Sequence, residues 1–294
     1  MKKLNWGIIG CGDVTEVKSG PAFNKVNNSS LVAVMRRDAK KAKDYAERHR
    51  VPAWYSDAND LIDDPAVNAI YIATPPSSHE AYTIAAIDAG KPVYVEKPMA
   101  LNEDAAIRMA RYATAKGVKL SVAHYRRAQP LFKKVKQLLD SNAVGDIRCV
   151  RLDYFKVPLT NNELQLPKVD WRINPAISGG GLFHDLAPHQ LDLMYHFFGA
   201  VQKATGISTN QSALGQADDI VAGNILFKNG VAFSGAWCFN AAAGQERDYG
   251  EIMGAKGKIS FSVFENQPVE LTIGGTTEHF NFDKLPHVQQ PMIE

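Results

Sequence analysis

Over the first 125 residues, short apolar runs alternate with stretches that read as helix. Residues 4–9, 31–35, 69–73, 92–95 and 120–123 are nearly unbroken apolar segments of strand length, as expected of parallel strands buried on both faces. Between them, residues 39–50, 79–89 and 103–116 set apolar positions three or four apart among helix-forming residues. Gly90 and Gly117 stand where the last two of those helices would close. This alternation predicts a doubly wound α/β sheet.

Past Arg127 the pattern changes. Residues 130–139 read as one amphipathic helix and 147–157 as an alternating strand. Runs at 220–227 and 231–239 flank Lys228-Asn229-Gly230, and Asn-Gly is a strong hairpin signal. Further short strands at 251–253, 259–263 and 269–273 are separated by glycine-rich turns. The boundary is therefore placed near residue 125. Residues 1–125 form the α/β domain, and residues 126–294 an α+β domain on a largely antiparallel open sheet. Residues 287–294 resemble the opening of a helix that stops without a cap, so the chain is expected to be cut short there or to fray.

Composition narrows the class. A chain of 294 residues suits two domains. With 45% apolar and 22% charged residues, disorder, collagen and coiled coil are excluded as the main architecture. Lys+Arg total 33 against 31 Asp+Glu, and the basic pairs Arg36-Arg37 and Lys40-Lys41 are followed closely by acids. No basic stripe for nucleic acid results. Three cysteines, Cys11, Cys149 and Cys238, lie far apart with no C-x-x-C spacing. That fits a reducing compartment and argues against a zinc ribbon or disulfide framework. No segment approaches the ~18 apolar residues of a membrane span. The short N-terminal apolar run, broken by Gly10-Cys11-Gly12, reads as a first strand rather than an export signal. A cytoplasmic protein is expected.

Gly10-Cys11-Gly12-Asp13-Val14-Thr15 directly follows the first strand. The first glycine permits a tight turn, and the second lets backbone approach a pyrophosphate at a helix N-terminus. Thr15 stands where a third glycine is usual. At the end of the second strand, Met35-Arg36-Arg37-Asp38 offers two arginines before the acid. Arginine there accommodates the 2′-phosphate of NADP, whereas an acid receives the ribose hydroxyl of NAD. NADP(H) is therefore favoured over NAD(H), with Asp38 as a helix N-cap in the competing reading.

Three later stretches carry candidate chemistry. Thr74-Pro75-Pro76-Ser77-Ser78-His79 follows a strand whose carboxyl end should line the ligand crevice. The prolines would stiffen it under a nicotinamide ribose; an ordinary connection capped by Ser77 or Ser78 is equally consistent. Glu96-Lys97-Pro98 follows the next strand, where an unpaired ammonium is costly to bury. Lys97 suits a hydrogen bond to a substrate hydroxyl, Glu96 an orienting or ribose contact, and Pro98 a cis bond. A salt-bridged surface turn is the plain alternative.

Gly179-Gly180-Gly181 precedes a helix reaching Phe198. Asp185, His189 and Asp192 would share one of its faces. Pro188 suits only a first turn, which puts Asp185 at the helix start as a possible N-cap. His189 is the acid/base candidate, with an ordinary packed histidine as the alternative. A metal reading through His184, Asp185, His189 or His196 is weak, because zinc needs three convergent ligands. His49, His124, His279 and His287 are read as structural or surface residues.

Together, Glu96-Lys97-Pro98, the D-x-x-x-H pair Asp185/His189 and Trp171-Arg172 ahead of the glycine triplet resemble the glucose–fructose oxidoreductase/inositol dehydrogenase/rhizopine-catabolism family, Gfo/Idh/MocA. The resemblance covers nearly the whole chain. It implies a Rossmann domain followed by a largely antiparallel sheet, whose exposed face commonly supports homodimers or homotetramers. It also implies Lys97, Asp185 and His189 as the catalytic set. Gly10, Gly12, Asp13, Val14, Arg36, Arg37, Thr74, Pro75, Pro76, His79, Glu96 and Lys97 would line the dinucleotide. Lys97, Trp171, Arg172, Asp185 and His189 would meet a polyhydroxylated small molecule. The implied reaction is reversible oxidation of a secondary alcohol on a sugar, polyol or cyclitol. Asp185 would position Lys97 or a neighbouring hydroxyl. A redox-neutral enzyme that retains its dinucleotide, a non-enzymatic dinucleotide sensor and reduction of a non-sugar carbonyl or diol are the alternatives. Members of the family usually end in a helix that packs back on the first domain, and this chain is expected to lack it.

Overall fold

The apolar runs of the first 125 residues become the strands of a parallel sheet in the computed structural model, which describes residues 3–213 and 215–294. The order along the chain is β1 (Leu4–Ile9), α1 (Asp13–Val17), β2 (Ser29–Met35), α2 (Ala39–His49), β3 (Ala53–Tyr55), α3 (Ala58–Asp63), β4 (Ala69–Ile72), α4 (His79–Asp88), β5 (Val93–Val95), α5 (Glu103–Lys116) and β6 (Leu120–Val122). The six strands lie in the order β3-β2-β1-β4-β5-β6, every pair parallel. This is the doubly wound order with its switch point between β1 and β4, where ligands bind.

Alternate strand residues feed two cores. Ile9, Ala33, Met35, Ile70, Ile72, Val93 and Val95 pack with Leu61, Ala86, Ile87 and Met109 on one face. Ile8, Leu31, Val34, Tyr71 and Tyr94 pack with Phe23, Tyr45 and Ala46 on the other. Two elements had no readable pattern. β3 is a three-residue edge strand, and α3 is a six-residue helix; both are too short to show a period.

The second half continues as α6 (Pro130–Asp140), β7 (Ile147–Phe155), α7 (Asn161–Leu164), α8 (Pro167–Ile173), α9 (Pro175–Ser178), α10 (Gly181–Phe198), β8 (Val201–Thr209), β9 (Ile220–Phe227), β10 (Ala232–Cys238), β11 (Arg247–Gly254), β12 (Gly257–Phe261), β13 (Val269–Ile273), β14 (Thr276–Phe280) and α11 (Gln290–Ile293). Its eight strands lie in the order β14-β13-β12-β11-β7-β10-β9-β8. Only the β7–β10 pair is parallel. One face of this sheet packs on α6 and α10 through Leu131, Phe132, Val135, Leu193, Met194, Phe197, Leu152, Phe233, Trp237, Ile252 and Phe261. The buried Trp237 indole donates to Gln190 Oε1 at 2.6 Å, which pins α10 to the sheet.

The chain divides into two contact-defined units. The first holds residues up to Tyr125 together with Ala176–Gly179 and Leu285–Glu294; the second holds Arg126–Pro175 and Gly180–Lys284. A single cut at 125 therefore misassigns the tail. Residues 285–294 pack on the first unit, where Met292 and Ile293 cover the core built around Ile8, Tyr71 and Tyr94. His287 Nδ1 lies 2.6 Å from the Val17 carbonyl, and the Gln289 amide donates to the Lys18 carbonyl at 3.1 Å. α11 is a four-residue helix, and its Met292 and Ile293 are part of that packing.

α10 also starts earlier than Pro188 suggested. It begins at Gly181 with Gly180 as N-cap, so Pro188 sits inside the helix and Asp185 in its second turn rather than at a cap. The glycine triplet before it, with Gly179 and Gly181 at positive φ, lets the chain enter the helix directly. Among the described residues, no helix is long and apolar enough to cross a membrane.

Candidate active site

In the first unit, candidate residues gather at the carboxyl ends of β1, β2, β4 and β5. Gly10 has φ +92, and a Cβ there would lie 2.7 Å from Thr74 Cγ2 and 2.9 Å from Thr74 N. The glycine turn can therefore press on the loop after β4 only because the side chain is missing. Gly12 differs: a Cβ there would meet nothing nearer than the Gly10 carbonyl at 3.9 Å. Space above the turn is thus open at the residue where a pyrophosphate would approach. Thr15, in place of the third glycine, is fully buried, and its hydroxyl donates to the Gly12 carbonyl at 2.8 Å. The departure is absorbed inside the fold. Cys11 is also buried, and burial pushes its thiol up to about 11, so it is inert packing within the turn.

Of the two arginines, Arg36 is half-buried and Arg37 exposed. Arg36 Nη1 donates to the Cys11 carbonyl at 3.3 Å, which lays the guanidinium across the glycine turn. Asp38 caps α2 by accepting from the Lys40 and Lys41 amides at 3.1 and 3.2 Å. Those amide bonds hold its carboxyl below the usual carboxylate range.

The loop after β4 is braced rather than capped. Ser78 Oγ donates to Thr74 Oγ1 at 2.8 Å and makes no capping bond to α4. Pro76 is buried, beside Pro75. His79, read as a cofactor contact, is fully buried. Its Nε2 lies 2.8 Å from the Thr74 carbonyl and its Nδ1 lies 3.1 Å from the Pro98 carbonyl. The ring therefore ties the loop after β4 to the turn after β5. Burial lowers its pKa.

Lys97 follows β5 and precedes Pro98 through a cis peptide bond. Glu96 is 6% exposed. Its Oε1 accepts from the Tyr71 hydroxyl at 2.5 Å and from Gln289 Nε2 at 2.6 Å. Its Oε2 accepts from the Lys97 amide at 3.2 Å. An exposed salt-bridged turn does not describe it. Gln289 and Tyr71 gave no sign in the sequence, because a polar contact across the chain has no period.

In the second unit, α8 and α10 bring together Trp171, Arg172 and Asp185. Arg172 Nε donates to Asp185 Oδ2 at 3.1 Å, and its guanidinium carbon lies 4.5 Å from the Trp171 ring centroid. A carboxylate and an aromatic face so placed hold a guanidinium in one orientation. Asp192 serves a different pair: it takes a two-pronged ion pair from Arg127.

His189 lies one turn past Asp185 and is only 4% exposed. The Phe264 ring meets it edge-on at 5.8 Å. Phe264 also packs on Tyr154 at 4.8 Å and under the Arg126 guanidinium at 4.4 Å. Asp248 fixes this turn by accepting from the Val263, Phe264 and Glu265 amides. Phe264 and Asp248 were not singled out in the sequence and have no motif to mark them. Burial lowers the pKa of His184. Among the described residues, no group of three or more His, Cys, Asp or Glu side chains could hold a metal.

This chain matches the family model of the GFO/IDH/MocA oxidoreductases, "NAD-binding Rossmann fold", over residues 4–124. The family's C-terminal domain model matches residues 132–260. It is 48% identical over 292 residues to oxidoreductase P35 of Formosa agariphila, covering 99% of this chain and 89% of that one. It is 29% identical to the bovine (Bos taurus) trans-1,2-dihydrobenzene-1,2-diol dehydrogenase, covering 96% of this chain and 81% of that one. In fold it resembles a levoglucosan dehydrogenase solved with NADH and levoglucosan. The TM-score is 0.84 at 23% identity, over 99% of this chain and 87% of that one. The chain is an oxidoreductase of the GFO/IDH/MocA family, with an NAD-binding Rossmann domain followed by that family's C-terminal domain.

Proposed function

We propose that this oxidoreductase transfers hydride reversibly between a nicotinamide dinucleotide and a secondary alcohol of a sugar, polyol or cyclitol, with NADP(H) preferred over NAD(H). The observation that carries the cofactor reading is Arg36. Its guanidinium lies across the glycine turn, while Asp38, the acid that would otherwise hold a ribose, is engaged in capping α2. A guanidinium fork at that place suits a 2′-phosphate. The bound nicotinamide supplies or accepts the hydride.

The chain's own residues do the rest. His189 takes the hydroxyl proton as hydride leaves the same carbon, and returns it in the reverse direction. Lys97 donates a hydrogen bond to the reacting oxygen and stabilises the charge that develops there. Asp185 orients Arg172, which together with Trp171 binds a further oxygen of the substrate.

A cyclic diol is a second reading of the substrate. It is supported by the match to the dihydrodiol dehydrogenase along most of the chain. It is also supported by the pocket lined by Leu159, Leu164, Ile173, Leu182 and Phe239, with Ser212, Asp218 and Asp219 as its polar wall; its Ile173 is next to Arg172 in the chain. We place the protein in the cytosol, in keeping with three free cysteines. We read the exposed face of the eight-stranded sheet as a homodimer or homotetramer surface.

Parallel fluorescence titrations of nucleotide-stripped protein with NADPH and NADH test the cofactor reading. Tighter NADPH binding is the expected result. Tighter NADH binding reverses the preference, and binding of neither by folded protein overturns the function. A panel of sugars, polyols and cyclic diols with the preferred nucleotide then separates the two substrate readings.

A further inference from the structure

Gln289 is the one buried residue of the returning tail 285–294, and it has 0% exposure. A fully buried amide in a tail whose other residues are partly or fully exposed is costly unless each polar atom is met. Here they are. Nε2 donates to Glu96 Oε1 at 2.6 Å and lies 3.5 Å from the Tyr71 hydroxyl; Oε1 accepts from the Tyr94 hydroxyl at 3.4 Å. The two tyrosine rings stack at 5.3 Å, and Tyr71 reaches on to Ser19 Oγ at 3.1 Å. The buried carboxylate at the end of this network accepts the amide of Lys97 itself. One end of the Glu96 side chain is thus held by the tail, and the other by the turn that carries Lys97.

We propose that Gln289 is a positioning residue of the dinucleotide site: it fixes the Glu96 carboxylate, and through it the Glu96-Lys97-Pro98 turn, so that the tail completes a site built at the ends of β4 and β5. This rests on the nucleotide reading given above. Removing the amide leaves a buried carboxylate without one of its two side-chain donors. Hydrogen bonds to a charged group are strong enough that about a tenfold loss of nucleotide affinity follows.

The test is nucleotide titration across pH with wild type, Gln289→Leu, Gln289→Glu and the neighbouring control Gln290→Ala, each shown to be folded at the assay temperature. Gln289→Leu should bind the preferred nucleotide about tenfold more weakly at every pH, and Gln290→Ala should bind like wild type. Gln289→Glu sets a second carboxyl against Glu96. Two such groups share a proton at acidic pH and repel once both ionise. Its affinity should therefore approach that of wild type at low pH and fall as pH rises, whereas a role in folding alone would leave the affinity of folded protein unchanged. Wild-type affinity in folded Gln289→Leu, with a Gln289→Glu pH profile parallel to wild type, overturns the inference and leaves the function reading standing. If wild type itself binds neither nucleotide, the function reading falls, and this inference with it.

Discussion

Lys97 and His189 both stand in partly or wholly buried settings that restrict their geometry. The Lys97 backbone is held by Glu96 Oε2, and the His189 ring by the edge of Phe264. A general base or an oxyanion donor so fixed contributes typically ~10²-fold or more to turnover. Lys97→Ala and His189→Ala should each lower turnover by about that factor on a substrate found by screening, with nucleotide affinity less affected in His189→Ala. Near-wild-type rates in both variants would remove them from the chemistry. Both were legible in sequence as residue types beside a strand end and on a helix. The ring beside His189 was not: nothing marks Phe264 until Asp248 has closed its turn, and the pairing of Arg172 with Asp185, each singled out by itself, forms only when α8 is folded against α10.

Among the elements, α1, which follows the glycine turn, and α2 are joined by charge. Arg48 grips Glu16 with bonds of 2.9 and 2.8 Å, and His49 Nε2 lies 2.7 Å from the same carboxylate. The Arg48 hydrogen bonds are the main reason the Glu16 carboxyl is held down to about 2. Because the folded value lies below the unfolded one, this contribution is fully present above about pH 4.5 and is lost as pH falls through the folded value. The side chains are partly exposed, so solvent screening keeps the pair's contribution small. Gln in place of Glu16 should then lower Tm by about 2–4 °C at neutral pH, and the gap should narrow as pH is taken down from about 5 to about 3. Calorimetry of the two proteins over that range decides it; a gap that persists unchanged would place the effect in packing. Most strands and the long helices were readable because burial imposes a period of two or an unbroken apolar run; β8 and β14 were not, because almost every residue in them is exposed and no burial pattern marks them. The three-residue β3 and the helices α7, α8 and α9 were not, since four to seven residues hold too little pattern. Pro188 misled for a physical reason: it has no N–H to donate to the preceding turn, which costs one backbone hydrogen bond but does not forbid a helix, and α10 runs through it.

For the whole molecule, the eight-stranded sheet has one face closed by α6 and α10 and one left open. β8 is exposed along its entire length, with Ile207 78% exposed; Leu226, Met253 and Ile273 elsewhere on the sheet are also exposed. Exposed apolar side chains on the open face, Ile207, Leu226 and Met253 among them, suit a second copy of the chain. Light scattering on eluted wild type should report a dimer or tetramer, and Ile207→Glu should shift it towards monomer. A wild-type monomer at micromolar concentration would discard the assembly.

Sequence alone determined what repeats or stands next to its partner in the chain. It marked the apolar strands of the Rossmann sheet, the glycine turn after β1, the arginines after β2 and the tripeptide after β5. It also marked the Asp185/His189 spacing on one helix. Each follows from local chemistry, in which burial sets a period and a tight turn selects glycine. Tertiary structure decided what those residues touch. Glu96 meets an amide 193 residues away, Asp185 meets Arg172 across two helices, and His79 turns inward to join two loops instead of facing outward. The tail joins the first unit, against the apparent boundary, because its apolar residues find a core there. Polar pairing between distant segments is set by where the backbone brings them, and nothing in the local pattern can state that in advance.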